Sequence, residues 1–327
     1  MASVGNGVPN SSPSHRSFGF ESRLQHHLYT VIFLLWRCEL RTARITGPIL
    51  ATAVTFLAGC SDPTESPDWQ VALDYADSEI HAIAIGKQGY PFIEIQVNGR
   101  AVEVLLDTGN MTGLFLAGDV IRRLGLPELG EVVTRDSDGN STGTKPTYAA
   151  ASVTAFDHRF ADREILQRNQ RDLDGAIGPP YLAGRRYTLD YRSRRLGVTT
   201  NPVGDPPPGA ERLDLVPVEG LAGMIVVRGQ VAGREVYIQV DTGKTRTCVD
   251  PEFARQAGLH ETANGYRIDS LEIGSQRFAV PSAKGVGFGG ISDGLDAPIL
   301  VAIGSDVLKE IVLTVDVDRA TVFIQRH

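Results

Sequence analysis

The tripeptide Asp-Thr-Gly occurs twice in this chain, at residues 107–109 and 241–243. Each copy follows an apolar run typical of a β-strand, so each Asp begins a loop at the end of a buried strand. Two acidic side chains on matching loops of two related half-molecules can meet across an approximate twofold axis. Two carboxyl groups at short distance cannot both ionise cheaply, because their negative charges repel each other. Such a pair therefore shares one proton and can activate water.

The two motifs belong to an internal repeat. The sequences Val-Asn-Gly-Arg at 97–100 and Val-Ala-Gly-Arg at 231–234 are separated by the same 134 residues (241 minus 107) as the two Asp residues. In each copy a Gly-Arg turn joins two strands, and the second strand carries the Asp. The predicted strands are 92–97 and 101–106 in the first copy, and 224–231 and 235–240 in the second.

A short helix and a later strand complete each unit. Each predicted helix ends before a Gly-Leu pair, where Gly suits a helix C-terminus, and Asp250 followed by Pro251 suits a helix start. The predicted helices cover 119–124 and 251–257, Ile-Gly pairs follow at 177–178 and 303–304, and strand-like tails lie at 195–198 and 321–324.

The Ile-Gly pairs are 126 residues apart (303 minus 177), so the first half carries eight extra residues (134 minus 126) after its Asp. These residues fit a projecting β-hairpin, because 136–143 forms a strong turn signal within 131–153, and the second half has only a shorter equivalent at 260–268. Over a cleft this hairpin would act as a lid, and an ordinary surface hairpin is the alternative.

The Gly-rich stretch 285–290 lacks the strand-to-helix context and the Lys of a phosphate loop. It is predicted to be a flexible loop.

Residues 41–67 have the pattern of an export signal. Arg41 and Arg44 precede the apolar run 45–57, which leads through Leu-Ala-Gly to Cys60 and a polar, Pro-rich stretch. This pattern resembles a bacterial lipoprotein signal, and the resemblance implies diacylglyceryl attachment at Cys60 after removal of the preceding residues. The run is shorter than the about 20 apolar residues of a bilayer span. A short membrane anchor or an uncleaved signal is the alternative.

Residues 1–40 do not fit an ordinary signal, since a second apolar run at 28–36 lies upstream of the basic region. They are either a start-site artefact or a cytoplasmic extension.

The Pro- and Gly-rich stretch 201–210 cannot hold a helix or a central strand and marks a linker. The predicted segments are therefore 1–60, an N-terminal extension and lipoprotein signal peptide; 61–79, a polar tether; 80–204, an N-terminal lobe; and 205–327, a C-terminal lobe.

Composition narrows the class of function. The 327 residues, 42% of them hydrophobic, can bury one large or two modest cores, and the net charge of −7 argues against a nucleic-acid surface. Cys38 and Cys60 precede the body, so Cys248 has no intrachain partner there; it is predicted to lie in the core, with a reactive thiol as the alternative. The seven His are scattered without ligand spacing, so a metal site built on the paired acids is a weak hypothesis.

The repeated unit resembles the retropepsin-like and pepsin-like aspartic protease superfamily over roughly residues 80–327. The resemblance is carried by the apolar strands into Asp-Thr-Gly, the helices with Gly-Leu, and the hydrophobic-hydrophobic-Gly elements at 176–178 and 302–304. It implies an all-β, bilobal fold of two pseudo-twofold-related β-barrel lobes, each with a short helix. It also implies the roles of six residues: Asp107 and Asp241 as the catalytic dyad, Thr108 and Thr242 bracing the opposite loops, and Gly109 and Gly243 letting the backbone approach the carboxylates.

The implied activity is that of an aspartic-type endopeptidase, in which water activated between Asp107 and Asp241 hydrolyses a peptide bond directly, without an acyl-enzyme, a cofactor or a metal. The expected partners are a peptide or protein substrate and the membrane, through the lipid anchor, with no nucleic acid. The expected location is the bacterial cell envelope, facing the periplasm, and the duplication predicts a monomer built as an internal pseudo-dimer. A catalytically inactive, lipid-anchored peptide-binding protein with the same fold is the alternative.

Two residues depart from the family pattern directly after the motifs. Many members have Ser, Thr or Ala there, whereas this chain has Asn110 and Lys244. A Lys244 ammonium within about 4 to 6 Å of the dyad would favour a doubly ionised, inactive state, whereas a side chain pointing along the cleft near Arg246 would favour acidic substrates. We expect the second arrangement, with Asn110 and Lys244 as substrate-subsite residues. Asp190 and Asp316, at matching strand ends, are predicted to cap turns.

Overall fold

The computed structural model of the protein describes residues 68–170, 172–201, 206–293 and 295–327. The predicted lipoprotein signal, Cys60 and the centre of the predicted linker lie outside the described residues. The described residues belong to one compact unit. No helix in the described ranges is long and apolar enough to cross a membrane.

The first half consists of short strands with two short helices. Two 3₁₀ turns, Asp77–Glu79 and Pro179–Tyr181, connect some of these elements. In chain order the elements are α1 (Asp68–Ala72), β1 (Ile80–Ala82), β2 (Ala84–Ile85), β3 (Pro91–Val97), β4 (Arg100–Leu106), β5 (Leu114–Leu116), α2 (Gly118–Leu124), β6 (Glu128–Arg135), β7 (Ser141–Ala155), β8 (His158–Gln167), β9 (Gly175–Ile177), β10 (Arg186–Asp190) and β11 (Arg195–Thr199).

The second half repeats this pattern with a shorter hairpin after its first helix. Its elements are β12 (Glu211–Asp214), β13 (Val226–Val231), β14 (Arg234–Val240), β15 (Cys248–Val249), α3 (Pro251–Gln256), β16 (His260–Thr262), β17 (Gly265–Ile273), β18 (Gln276–Gly285), α4 (Gly289–Ser292), β19 (Ile299–Ile303), α5 (Ser305–Leu308), β20 (Ile311–Asp316) and β21 (Thr321–Arg326).

Two of the three sheets close into barrels with the same strand order. In the first half the order is β2-β3-β4-β9-β5-β8-β7-β6, and an additional pairing of β3 with β7 closes six strands into a ring. In the second half the order is β13-β14-β19-β15-β18-β17-β16, and β13 pairs with β17 to close the equivalent ring. Both rings contain the same parallel pairs, β4 with β9 and β5 with β8, or β14 with β19 and β15 with β18. The predicted all-β fold with two related β-barrel lobes is confirmed.

The hairpins that lead to the two Asp residues show how the sequence builds the barrel wall. Along β3 the residues alternate between the core and a more exposed face, as a strand with one face on a core requires. Each hairpin turn places two consecutive residues at positive φ, as in a two-residue turn of type I′. These residues are Asn98 (φ 49°) and Gly99 (φ 76°) in the first half, and Ala232 (φ 50°) and Gly233 (φ 75°) in the second.

The third sheet joins the two halves. Its order, β1-β11-β10-β20-β21-β12, places β10 of the first half beside β20 of the second. Thr188 on β10 lies opposite Thr314 on β20, and their hydroxyl oxygens are 2.8 Å apart. Because these two residues occupy equivalent positions in the repeat, the approximate twofold axis passes between them.

Residues 68–79 are part of the folded body, so the prediction of a polar tether over 61–79 is wrong for these residues. Trp69, Leu73 and Tyr75 are buried and form an apolar cluster with Val312 of β20. The Trp69 indole N–H also donates to Asp190 Oδ2 at 2.9 Å. Helix α1 has only five residues, which is too short for hydrophobic periodicity to reveal it in a polar stretch.

The predicted helix ends and the predicted hairpin are confirmed. Helix α2 ends at Gly125, whose φ of 68° is left-handed. The Asp250 carboxylate caps α3 by accepting the N–H groups of Glu252 and Phe253 at 2.9 and 2.8 Å. Strands β6 and β7 pair as an antiparallel hairpin, and β16 with β17 forms its shorter counterpart. The predicted lobe boundaries stay a prediction, because residues 202–205 lie outside the described part of the chain.

Candidate active site

Each Asp-Thr-Gly motif begins where a central barrel strand ends. Strand β4 leads into Asp107 and β14 into Asp241. The backbone N–H of each Asp donates to a carbonyl on the parallel neighbouring strand, that of Ile177 at 2.9 Å and that of Ile303 at 3.0 Å. Gly178 follows Ile177, and a Cβ at this position would overlap the backbone of the first loop. The repeated Ile-Gly elements therefore hold the two loops at equivalent places.

Reciprocal hydrogen bonds join the two loops through Thr108 and Thr242, which are both completely buried. The N–H of Thr108 donates to Thr242 Oγ1 at 2.9 Å, and the N–H of Thr242 donates to Thr108 Oγ1 at 3.0 Å. Each hydroxyl donates onward to a strand of the other half, Thr108 to the Val240 carbonyl at 2.9 Å and Thr242 to the Leu106 carbonyl at 2.5 Å. These hydrogen bonds set the position of each loop relative to the other.

The structure brings Asp107 and Asp241 together above this brace. The N–H of Gly109 donates to Asp107 Oδ1 and that of Gly243 donates to Asp241 Oδ1, both at 2.9 Å. Each glycine also lies against the opposite acid, since a Cβ on Gly109 would be 2.5 Å from Asp241 Oδ2 and a Cβ on Gly243 would overlap the Asp107 carboxyl. A larger residue at either position would force the two acids apart.

Asp107 holds its proton more tightly than an ordinary Asp. Burial of its carboxyl, and then the charge of Asp241, raise the pKa of Asp107 to about 7, although the Gly109 N–H and the Lys244 ammonium act in the opposite direction. A side-chain hydrogen bond with Asp241 adds to the increase. Asp107 therefore keeps its proton in mildly acidic solution, as expected where two neighbouring acids cannot both ionise cheaply.

The expectation that Lys244 points along the cleft is wrong. Its Nζ lies 3.0 Å from Asp241 Oδ2, and the Asp241 side chain is only 7% exposed. The Lys244 N–H donates to the Asp241 carbonyl at 3.1 Å, so a tight turn brings the two side chains to the same side of the loop. Burial disfavours the charge, but the attraction of Asp241 and its neighbours outweighs it and raises the pKa of Lys244. Arg246 points elsewhere, because its guanidinium donates to the Ser282 carbonyl at 2.8 Å.

Asn110 is not placed as a substrate-subsite residue either. It is buried, and its Nδ2 donates to the carbonyls of Gly113 and Ala176 at 3.0 and 3.3 Å. Its Oδ1 accepts from the Thr112 hydroxyl at 2.6 Å. The amide is thus used to shape its own loop, and the two halves differ chemically, with a buried neutral amide beside one acid and a cation beside the other.

The tip of the β6–β7 hairpin contacts the second half. Ser137 Oγ donates to the Gly287 carbonyl at 2.9 Å, and the Gly289 N–H donates to Asp138 Oδ1 at 3.1 Å. The N–H of Ile291 donates to the Ser137 carbonyl at 3.1 Å. The Gly-rich stretch 285–290, which the sequence predicts to be a flexible loop, therefore receives the hairpin tip.

This contact lies beside the first Asp-Thr-Gly loop. Met111, four residues after Asp107, packs against the apolar cluster that includes Phe288. Val286, which precedes Gly287, and Ile291, whose N–H donates to the hairpin tip, pack against the same cluster. The hairpin, the Gly-rich loop and the loop of Asp107 are thus linked through one set of contacts.

Two tyrosines near the dyad had no signal in the sequence. Burial, and the charges of Asp107 and Asp241, raise the pKa values of Tyr90 and Tyr191. Tyr191 is 6% exposed, and its hydroxyl has no hydrogen-bond partner among the described residues. Neither residue belongs to a repeated motif, and an isolated Tyr fits core packing as well as it fits a functional site.

The remaining predicted positions are structural. Cys248 lies in the core as predicted, since it is 4% exposed and unbridged, and burial raises the pKa of its thiol. Asp190 and Asp316 cap turns as predicted, because the Oδ1 of each accepts backbone N–H groups from the following turn. Within the described ranges, no group of three His, Cys, Asp or Glu side chains is placed to hold a metal ion.

Comparison with known proteins identifies the fold. The structure is similar to the crystal structure of an aspartic proteinase from Irpex lacteus, with a TM-score of 0.50 over 76% of this chain and 96% of that chain. The sequence identity is 11%, so the likeness shows the fold alone. No family model and no curated protein matches the sequence. The chain therefore has a pepsin-like aspartic protease fold, and its activity has to be argued from the site.

Proposed function

We propose that this protein is an aspartic-type endopeptidase that hydrolyses peptide bonds with water activated between Asp107 and Asp241. One observation carries the proposal: two acids at equivalent strand ends face each other, each against the glycine of the opposite loop, on a reciprocal Thr108–Thr242 brace. Burying two acids side by side is costly, and a protein that needed only the fold could place apolar residues there at lower cost.

The reaction follows from the single proton of the pair. The Asp241 carboxylate removes a proton from a water molecule, and the water oxygen forms a bond to the carbonyl carbon of the peptide. Asp107 gives its proton to the carbonyl oxygen and so stabilises the charge that develops there. The C–N bond then breaks as the amine takes the proton from Asp241, and Asp107 regains its own proton when the carbonyl re-forms.

The β6–β7 hairpin is the lid of this site in our proposal. Support comes from its tip, where Ser137 and Asp138 bond to the Gly-rich loop of the second half, next to the loop of Asp107. A lid of this kind excludes water and holds an extended substrate against the acids. Substrate entry requires the tip to release the second half.

The location that we propose is the bacterial cell envelope, with a lipid on Cys60 and the body facing the periplasm. The lipoprotein-like pattern ending at Cys60 supports this location. The folded body begins by residue 69, since Trp69 is buried. The connecting residues 61–68 reach at most about 30 Å when fully extended, so such an anchor would keep the start of the folded body within that distance of the membrane surface.

A catalytically inactive peptide-binding protein is the second candidate. One observation favours it, because the Lys244 ammonium lies 3.0 Å from Asp241 and so competes for an oxygen of the proposed base. The two candidates differ in one measurable property, which is turnover that depends on both acids.

The deciding experiment is hydrolysis of a peptide library by the purified protein from acidic to neutral pH. We expect cleavage by the wild type, loss of cleavage in both Asp107→Asn and Asp241→Asn, and unchanged cleavage in Asp269→Asn, which replaces an exposed acid. A statine-type transition-state mimic should bind the wild type and lose affinity in both dyad variants. A folded wild type that binds peptides but cleaves none would establish the binding protein instead.

A further inference from the structure

Lys244 is the cation of the candidate site, and it occupies the position that Asn110 occupies in the first half. The following inference rests on the proposed function of the dyad. We propose that Lys244 is a positioning residue that holds Asp241 as the carboxylate of the pair, leaves the shared proton on Asp107, and extends the working range of the dyad to lower pH.

The geometry makes the two acids unequal. On each acid, Oδ1 accepts the N–H of the glycine two residues later, so the Oδ1 atoms are equivalent. The difference lies at Oδ2, because Lys244 Nζ is 3.0 Å from Asp241 Oδ2, whereas no cation within the described residues forms an ion pair with Asp107. Asp241 Oδ2 is therefore the oxygen of the pair on which negative charge is stabilised by direct contact with a cation in the described structure.

Among the described residues, no other group that faces the pair can replace this charge. The titratable side chains that face the two acids are Tyr90, Tyr191 and Lys244, with Cys248 behind Lys244. Burial raises the pKa values of both tyrosines and of the Cys248 thiol, so all three are neutral at acidic and neutral pH. Lys244 is therefore the group that sets the local field in the described part of the site.

Charge balance explains why the lysine does not force both acids to ionise. A protonated Asp107, an ionised Asp241 and a charged Lys244 have no net charge together, which lowers the cost of burying them. The pKa of Asp107 remains raised to about 7 although Lys244 opposes the increase. The lysine thus selects which acid is ionised and leaves the other protonated.

The same asymmetry should affect how kcat/KM depends on pH. The active pair carries one proton, so its pH range is bounded by two apparent pKa values that belong to the pair. An opposite charge at close range lowers a carboxyl pKa by about 1 to 3 units, and the effect falls with distance. Lys244 contacts Asp241 directly, whereas it forms no ion pair with Asp107 in the described structure, so it lowers the acid limb more than the alkaline limb.

The test compares the pH dependence of kcat/KM in the full-length wild type, Lys244→Met and Lys244→Arg, with an end-blocked peptide that has no ionisable side chain. We expect Lys244→Met to move the acid limb upward by about one to three pH units and the alkaline limb by less. Lys244→Arg keeps the charge and should stay near the wild type. Lys309→Met, at an exposed lysine, is the matched control and should change neither limb.

A second measurement does not depend on activity. Carboxyl carbon NMR of the wild type, with signals assigned through Asp107→Asn and Asp241→Asn, should show Asp241 ionising at lower pH than Asp107. If no peptide is cleaved, the proposed function fails, yet this order of ionisation still decides the role of Lys244.

Three results would overturn the inference: Asp107 ionising first, an acid limb that Lys244→Met leaves unchanged, or cleavage gained by Lys244→Met where the wild type is inactive. The last result would make the lysine a blocking group. If the Met variant does not fold, the NMR order in the wild type still supports or contradicts the assignment.

Discussion

The backbone N–H of Thr108 lies 2.9 Å from Thr242 Oγ1, and the reverse pair, Thr242 N–H to Thr108 Oγ1, lies at 3.0 Å. Both residues are completely buried, and each hydroxyl accepts one hydrogen bond and donates another. No water can replace a lost partner there without repacking, so the separation of Asp107 and Asp241 depends on these two side chains.

Replacing Thr108 with Val keeps its shape but removes the hydroxyl, so the Thr242 N–H and the Val240 carbonyl lose their partner. An unpaired buried polar group costs about 1 to 3 kcal/mol, so we expect Thr108→Val to lose about 2 kcal/mol or more of the free energy of unfolding, together with most peptide hydrolysis. Thr108→Ser keeps both bonds and should stay within about 1.5 kcal/mol of the wild type. Chemical denaturation and hydrolysis assays measure both effects, and a Val variant equal to the wild type in each would contradict the role of the brace.

The raised pKa of Asp107 predicts how stability depends on pH. The ordinary pKa of Asp is 3.8, and the pKa of Asp107 in the folded protein is about 7. As the pH rises, the unfolded chain therefore loses this proton at a lower pH than the folded protein does. The contribution of Asp107 is therefore fully present below about pH 4 and is lost as the pH rises through about 7. Each pKa unit between the folded and unfolded values corresponds to about 1.4 kcal/mol in the free energy of unfolding.

Asp107→Asn removes this dependence. We expect the variant to match the wild type near pH 4 and to exceed its free energy of unfolding by about 1 kcal/mol or more at pH 8. Thermal unfolding at several pH values measures the difference, with Asp269→Asn as the exposed-acid control. An Asn variant that is less stable than the wild type at pH 8 would show that the acid pair is not under electrostatic stress.

The contact of the hairpin tip can be removed at a single glycine. A Cβ on Gly290 would overlap the backbone of Gly139 at the tip, whereas a Cβ on Gly130, in β6 of the same hairpin, would meet no atom within 4 Å. We expect Gly290→Ala to speed hydrogen exchange at the Gly289 and Ile291 amides and to lower kcat/KM by about tenfold, because the lid no longer positions substrate. Gly130→Ala should leave exchange and kcat/KM unchanged. Equal behaviour of the two variants would remove the lid from the proposal.

The N-terminal segment before β1 is expected to contribute to stability. Trp69 is 3% exposed and bonds to Asp190, whereas Val71 in the same helix is 76% exposed. We expect Trp69→Ala to lower the free energy of unfolding by about 3 to 5 kcal/mol, as for other buried aromatic residues. Val71→Ala should change it by less than about 0.5 kcal/mol. If both variants unfold at the wild-type denaturant concentration, residues 68–79 are a tether after all.

Much of the fold could be predicted because its signals are local and occur twice. The alternation along β3, the glycine after α2 and the Asp250 cap each determine a few residues of backbone through contacts within one turn or strand. The constant offset between the two copies then shows which elements are equivalent. The pairing of Asp107 with Asp241 follows from that equivalence.

The sequence by itself determined the repeat, the strands, the hairpin and the two acids that meet. Only the tertiary structure decided that Lys244 turns onto Asp241 while Asn110 folds into its own loop, that Trp69 packs on the third sheet, and that Ser137 reaches Gly287. Backbone patterns come from short-range sterics and hydrogen bonding, which a sequence shows directly. The direction of a long side chain depends on which buried charge or unpaired carbonyl group lies nearest to it after folding. Residues far away in the sequence determine which group that is.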